Sequence, residues 1–261
     1  MQINRKITIK QLDMSLILPN NVRDVKHGGH KIVIIGKPGE GKSILIDDIL
    51  YQKRHIFPTG LACSGTEDSN KNYANRFPDC FIYNALNEEI VQSFINRQVV
   101  SRDHLSVPWA VLVLDDVMTD PNMFNNQVFY DLFKNGRHYA LLCILALQYG
   151  MDIKPGIRDV LDGVFIFRNP LLRSRKKIYE NFASIIPSFD LFCKIMDTVT
   201  NDHTALYIHN SSTSNNIEDC VFWYKAKRVP SDFKVGCKEF WDFDRVRNKN
   251  SQSSSADRPH R

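Results

Sequence analysis

Residues Gly36, Lys37, Pro38, Gly39, Glu40, Gly41, Lys42 and Ser43 follow the strand-like run Lys31 to Ile35 and precede Ile44 to Leu50, which reads as a helix. The pattern G-x-x-x-x-G-K-S in that context constrains the fold more than any other feature, because it demands a strand delivering a tight turn to a helix start. Glycines let backbone N–H groups turn around phosphate oxygens at the partly positive end of the following helix. Lys42 can then reach the β and γ phosphates of a triphosphate such as ATP. Ser43 presents a hydroxyl to Mg2+, an ion that keeps most of its water and takes few protein ligands. The bland alternative is a glycine-rich turn that binds nothing, and the ordered strand, loop and helix weigh against it.

Such a loop needs an acid at the end of a neighbouring strand. The apolar run Trp109 to Leu114 ends in Asp115 and Asp116. A run of this kind suits a strand covered on both faces, and it would carry both carboxylates to the carboxyl edge of a parallel sheet. Asp115 is assigned to the Mg2+ shell. Asp116 is assigned to the attacking water, which it orients or deprotonates. Alone, the pattern is also that of a strand followed by a polar turn.

With 261 residues, 43% of them hydrophobic and 24% charged, the chain is expected to form one sizeable α/β domain with additions. No stretch approaches the roughly 20 apolar residues of a membrane-spanning helix. The start, Met1 to Lys6, lacks the apolar core of a secretory signal, so a soluble protein on the cytosolic side is expected. Cys63, Cys80, Cys143, Cys193, Cys220 and Cys237 show neither zinc-ligand spacing nor a disulfide frame and read as reduced thiols. A net charge of +5 permits a nucleic-acid partner without demanding one.

Residues 1–29 read as accessory strands closed by the turn signal Pro19-Asn20-Asn21, and residues 30–247 as the nucleotide-binding domain. Residues 248–261 form a polar, serine-rich tail that cannot support a core and is expected to be disordered. Strands are expected at Gly60–Ser64, Phe81–Tyr83, Leu141–Leu147 and Gly163–Phe167, with two more at Ala205–His209 and Cys220–Tyr224. A helix reads from Glu88 to Arg102. Another should start at Asp120-Pro121, bury Phe124, Val128, Leu132 and Phe133, and stop at Gly136. Ser188 should cap a helix over Phe189 to Thr198.

The strand at Gly60–Ser64 separates the two motifs in sequence. An additional strand between loop and acid marks the additional-strand, catalytic-acid division of P-loop proteins, which includes RecA-like motors. The expected fold is therefore a RecA-like, mostly parallel α/β sheet flanked by helices, with extra C-terminal strands. Gln148, closing Leu141–Leu147, would stand on the edge that carries both acids, either touching the γ phosphate or its water or serving as a polar strand cap. Arg168, Arg173, Arg175, Lys176 and Lys177 read as a solvated helix face, with DNA-backbone contact or a neighbouring subunit's nucleotide as alternatives.

The loop at 36–43, Ser64-Gly65-Thr66-Glu67, Leu114-Asp115-Asp116, Asn135-Gly136-Arg137-His138, Leu147-Gln148 and Trp223-Tyr224-Lys225-Ala226 occur in this order. Together they resemble the genome-packaging ATPases of large nucleocytoplasmic DNA viruses, a viral branch of the FtsK/HerA motors. The resemblance covers most of residues 30 to 245. It implies hydrolysis of ATP, with Mg2+, coupled to moving double-stranded DNA into a preformed capsid by a ring of identical subunits. Capsid or portal proteins would be partners, at the assembly site in the host cytoplasm or in the virion. It also implies a sensor role for Gln148 and makes Arg137 the candidate arginine finger acting in trans. As a helix C-terminal residue, Arg137 would otherwise bond carbonyls there. Cellular members usually carry Asp-Glu where this chain has Asp115-Asp116. Two rivals use the same loop, namely a nucleoside or nucleotide kinase and a nucleotide-gated assembly scaffold.

Overall fold

The computed structural model describes residues 7–17, 29–117 and 126–256, with side chains omitted at Arg137, Asp152 and from Asn248 onward. Strands β1 (Lys10–Gln11), β2 (His30–Ile35), β3 (Thr59–Ser64), β4 (Ile82–Tyr83), β5 (Ala110–Asp115), β6 (Leu141–Leu147), β7 (Gly163–Ile166), β8 (Thr204–His209) and β9 (Val221–Lys225) form one sheet. Its helices are α1 (Lys42–Lys53), α2 (Glu67–Asn70), α3 (Glu88–His104), α4 (Gln127–Asn135), α5 (Pro155–Arg158), α6 (Leu172–Phe182), α7 (Phe189–Val199), α8 (Ile217–Cys220) and α9 (Lys238–Ala256).

The spatial order is β1-β9-β8-β7-β2-β6-β5-β3-β4. From β7 through β4 every pairing is parallel, whereas β8 pairs antiparallel with both β7 and β9. This is the RecA-like arrangement with additional C-terminal strands that the motifs predict. One detail of the expectation changes. The strand lying between the loop and the acids in sequence is β3, but β3 pairs outside β5. The strand between them in space is β6, which follows both motifs in the chain. Chain order cannot reveal this, because parallel neighbours are joined by crossovers that can skip positions in the sheet.

Alternation along β2 sends Ile32 and Ile34 to one face and Val33 and Ile35 to the other. The first face packs on Leu45, Ile46, Ile49 and Leu50 of α1, all fully buried. The second packs under α3, α4, α6 and α7 through Phe94, Phe133, Ile178 and Phe192. Because both faces are covered, the central strands read as continuous apolar runs. Each fully buried Ile or Leu contributes about 1.5–3 kcal/mol relative to exposure.

Capping follows the side chains available. Asn87 accepts from the Ile90 N–H at the start of α3, and Ser188 Oγ accepts from the Leu191 N–H at the start of α7. Asn126 caps α4 by accepting from the Val128 N–H. The expected helix start at Asp120-Pro121 and the turn at Pro19-Asn20-Asn21 lie outside the described residues. The backbone of α9 is helical through Asn248 to Ala256, across the first part of the serine-rich stretch. All six cysteines are free, and burial pushes the Cys63 and Cys143 thiols up to about 12, which leaves them unreactive.

Candidate functional site

The carboxyl edge of the sheet is laced together just where its strands end. The Gly36 N–H donates to the Leu147 carbonyl at 3.1 Å, and Phe167 N–H donates to the Ile35 carbonyl at 2.8 Å. Gly65 N–H donates to the Asp115 carbonyl at 3.1 Å. In register, Ile35 faces Leu147 across β2 and β6, and Asp115 faces Ala146 across β5 and β6. The loop and Asp115 are therefore two strand spacings apart, roughly 10 Å, with Gln148 standing between them.

Within the loop, Gly39 and Gly41 have φ of 83° and 113°. These angles suit glycine and strain any residue with a Cβ. Lys42 is buried and its Nζ donates to the Gly36 carbonyl at 2.8 Å, spanning the loop from its last turn to its first residue. Lys37, Glu40 and Gly41 are partly exposed, while Pro38, Gly39 and Ser43 face solvent, the last in the first turn of α1.

Across β6, Asp115 is only 4% exposed. Burial raises its carboxyl pKa; the hydrogen bond from Tyr73 and the charge of Lys42 lower it, and neighbouring Asp116 and Glu67 raise it. Tyr73 Oη donates to Asp115 Oδ2 at 3.0 Å, and both carboxylate oxygens of buried Glu67 accept from the Tyr73 N–H, at 3.0 and 3.2 Å. Ser64-Gly65-Thr66-Glu67 thus closes over the acid strand. A Cβ on Gly65 would stand 2.5 Å from the Asp116 carbonyl oxygen, so only glycine permits this approach.

Asp116 lies at φ 49°, in the left-handed region. Aspartate visits that region more readily than glutamate, because its short side chain can bond locally. That gives a physical reason for an aspartate, rather than the longer glutamate, directly after Asp115.

The oxygen donors Ser43 and Asp115, flanking a lysine-bearing loop, fit magnesium, which takes few protein ligands. Among the described residues no cluster of three or more His, Cys, Asp or Glu side chains could hold a metal by itself.

Arg137 is not brought to this edge within the chain. It sits in the 3-10 turn Gly136–Tyr139 that precedes β6, and seven strand residues, about 20 Å, separate that turn from Gln148. The basic run after β7 divides. Arg175 is buried, pairing with Asp197 at 2.6 Å and donating to the Asn169 carbonyl, so it is structural. Arg168 donates to Asn201. Arg173 and Lys177 line a cleft of about 530 Å3 together with Ile35 and Gln148.

Sequence reasoning missed Tyr73, Phe167 and His203. The Phe167 ring and the His203 Cβ lie against Gly41. No local pattern marks them, since each reaches the site through a contact distant in the chain.

No protein-family profile matches the chain. It is 46% identical over 245 residues to uncharacterized protein 088R of Invertebrate iridescent virus 3, covering 92% of this chain and 94% of that protein. It is 44% identical to uncharacterized protein 075L of Invertebrate iridescent virus 6, covering 98% of this chain and all of that protein. The chain belongs to this family of large DNA virus proteins.

A further member, uncharacterized protein 015R of Frog virus 3, is 39% identical over 91% of this chain and 75% of that one. In structure, the chain is similar to the genome packaging NTPase B204 of Sulfolobus turreted icosahedral virus 2, solved with ATP-gammaS. The TM-score is 0.55 at 14% identity, over 76% of this chain and 97% of B204. The pCW3 conjugation coupling protein TcpA, also solved with ATPgS, gives 0.52 at 11% identity over 79% of this chain and 62% of TcpA. At such identities the likeness is one of fold, and the fold of this chain is RecA-like.

Proposed function

We propose that this protein is a Mg2+-dependent ATPase that works as a motor, moving double-stranded viral DNA into a capsid. The observation that carries the reading is the single sheet edge on which the loop at 36–43, Gln148 and the Asp115-Asp116 pair stand side by side. The genome-packaging role of B204 and the large-DNA-virus origin of the relatives support the motor assignment.

In this reading, the loop amides from Gly36 to Ser43 bind phosphates, and Lys42 leaves the Gly36 carbonyl to neutralise β and γ oxygens. Ser43 and Asp115 would hold Mg2+, which when bound neutralises charge on the β and γ phosphates. Asp116 orients the attacking water or takes its proton, and Gln148 contacts the γ phosphate or that water. Arg137 would act on a neighbouring subunit's nucleotide in a ring, where its charge offsets charge developing on the transferred group. Placement at the edge opposite its own loop accords with a role in trans. Capsid or portal proteins would be further partners, in the cytoplasm of the infected cell.

The test is ATP hydrolysis with and without long duplex DNA over a salt series. DNA should stimulate turnover with water as the only phosphoryl acceptor, and the stimulation should weaken as salt rises, because phosphate contacts release counterions. Turnover indifferent to DNA at every salt concentration, or transfer to a nucleoside, would overturn the motor reading.

A further inference from the structure

We infer that His203 is a positioning residue for the phosphate loop, holding the Glu40 carbonyl from the antiparallel half of the sheet. The inference rests on the reading of residues 36–43 as a phosphate site and adds to it a residue outside the motif. A loop that spends its N–H groups on a ligand turns its carbonyls the other way, and those carbonyls need donors of their own. His203 Nδ1 lies 3.1 Å from the Glu40 carbonyl oxygen. A carbonyl only accepts, so Nδ1 carries the hydrogen in this contact.

The contact is part of a built brace. A Cβ placed on Gly41 would lie 3.4 Å from the Phe167 ring and 3.5 Å from His203 Cβ, so the last glycine of the loop is held between these two side chains. His203 reaches this position because it and Asp202 both adopt left-handed backbone, with φ of 56° and 50°. Two consecutive non-glycine residues in that region persist only where their surroundings enforce it, and such places concentrate at functional sites.

The enforcement is visible. Asp202 pairs with Lys225 of β9. The Asn201 side chain donates to the Asp197 carbonyl at 2.9 Å and accepts from Arg168 at the end of β7. The Thr204 N–H closes the turn on the Asn201 carbonyl at 3.0 Å. Elements α7, β7 and β9 thus converge to aim one exposed imidazole at the back of the loop.

Two substitutions separate this role from a packing role. His203→Gly accepts left-handed backbone without strain or added charge but has no donor. His203→Asn also tolerates that backbone, and its amide N–H can replace Nδ1–H. Binding of a fluorescent ATP analogue and steady-state hydrolysis would be measured on the parent and both variants, alongside thermal unfolding. His203→Gly should raise the dissociation constant and KM about tenfold, the worth of one hydrogen bond, with kcat within about twofold. His203→Asn should restore both constants to within about threefold of the parent. Glycine and asparagine variants equal in affinity would overturn the inference, as would a lowered unfolding temperature with KM unchanged. A parent that binds the analogue while His203→Gly binds it equally well refutes only the brace. A parent that fails to bind nucleotide refutes the phosphate site and the brace together.

Discussion

The Tyr73 hydroxyl donates to Asp115 Oδ2 at 3.0 Å across 42 residues of chain, fixing the orientation of a buried carboxylate at the sheet edge that carries the loop. Glu67 holds the Tyr73 backbone N–H with both of its oxygens, so the three side chains form one unit. Asp115 is thereby presented without a cation bonded directly to it among the described contacts, and burial leaves its carboxyl pKa raised.

Tyr73→Phe tests that unit. The hydrogen bond from Tyr73 opposes the effect of burial, so removing it lets the Asp115 pKa rise further. The charged carboxylate is lost as pH falls through that value, and the acid limb of the ATP turnover profile should therefore move to higher pH. The stability effect has the sign of a raised carboxyl. The native state binds the proton more tightly than the unfolded chain, so this contribution is greatest in acid and is lost as pH rises from the ordinary 3.8 through the native value. A pH profile identical to the parent's would show that Tyr73 does not tune Asp115.

Lys42→Ala should reduce ATP turnover below about one part in a hundred of the parental rate, because in the proposed site its amine neutralises charge on the transferred phosphate. Its side chain spans the loop only through the Gly36 carbonyl, so the fold should survive, as circular dichroism would verify. Asp116→Asn should keep nucleotide affinity and slow hydrolysis. Parental hydrolysis by purified Lys42→Ala would show the site assignment to be wrong.

Gly65→Ala should be damaging although the substitution is small. The new methyl group would meet the Asp116 carbonyl oxygen at 2.5 Å, forcing apart the ends of β3 and β5 at a cost of about 1–3 kcal/mol. Because Asp116 moves with that carbonyl, turnover should fall by more than nucleotide affinity does. Urea unfolding and steady-state kinetics on one preparation would read both effects.

Asp48→Ala should destabilise the protein without touching chemistry. Asp48 is 1% exposed; its Oδ2 accepts from the Tyr224 hydroxyl and the Lys227 N–H, both at 2.8 Å, and its Oδ1 accepts from Gln52 at 2.8 Å. Removing the acceptor strands buried donors and uncouples α1 from β9, a loss of about 2–4 kcal/mol in denaturant unfolding. Tyr224→Phe, which leaves the Lys227 bond in place, should cost about 1 kcal/mol.

Legibility in the sequence followed the range of the contacts. The loop, its flanking strand and helix, the paired acids at a strand end and the cap at Ser188 depend on residues within a few positions of one another, and local spacing records them. Gln148 could be placed on the edge that carries the loop and the acids because a strand's end is itself a local feature. The unit Glu67, Tyr73 and Asp115 could not be read, since nothing near Tyr73 distinguishes it from an ordinary core tyrosine. Nor could the split of the basic run, where Arg175 is committed to Asp197 and Arg173 and Lys177 are left along the cleft beside Gln148.

By itself, the amino-acid order determined that a phosphate-type loop joins a buried strand to a helix, that a second buried strand ends in two acids, and that the core strands are covered on both faces. Each follows from the spacing of glycines, carboxylates and apolar side chains along a few residues. Only the tertiary structure decided that β6 rather than β3 lies between loop and acids, that Arg137 stands at the opposite edge, and that His203 reaches the Glu40 carbonyl. Those relationships depend on which strands pair after the chain has crossed the sheet several times. Pairing is settled by burial over the whole molecule, whereas the pattern of any one segment is compatible with several neighbours.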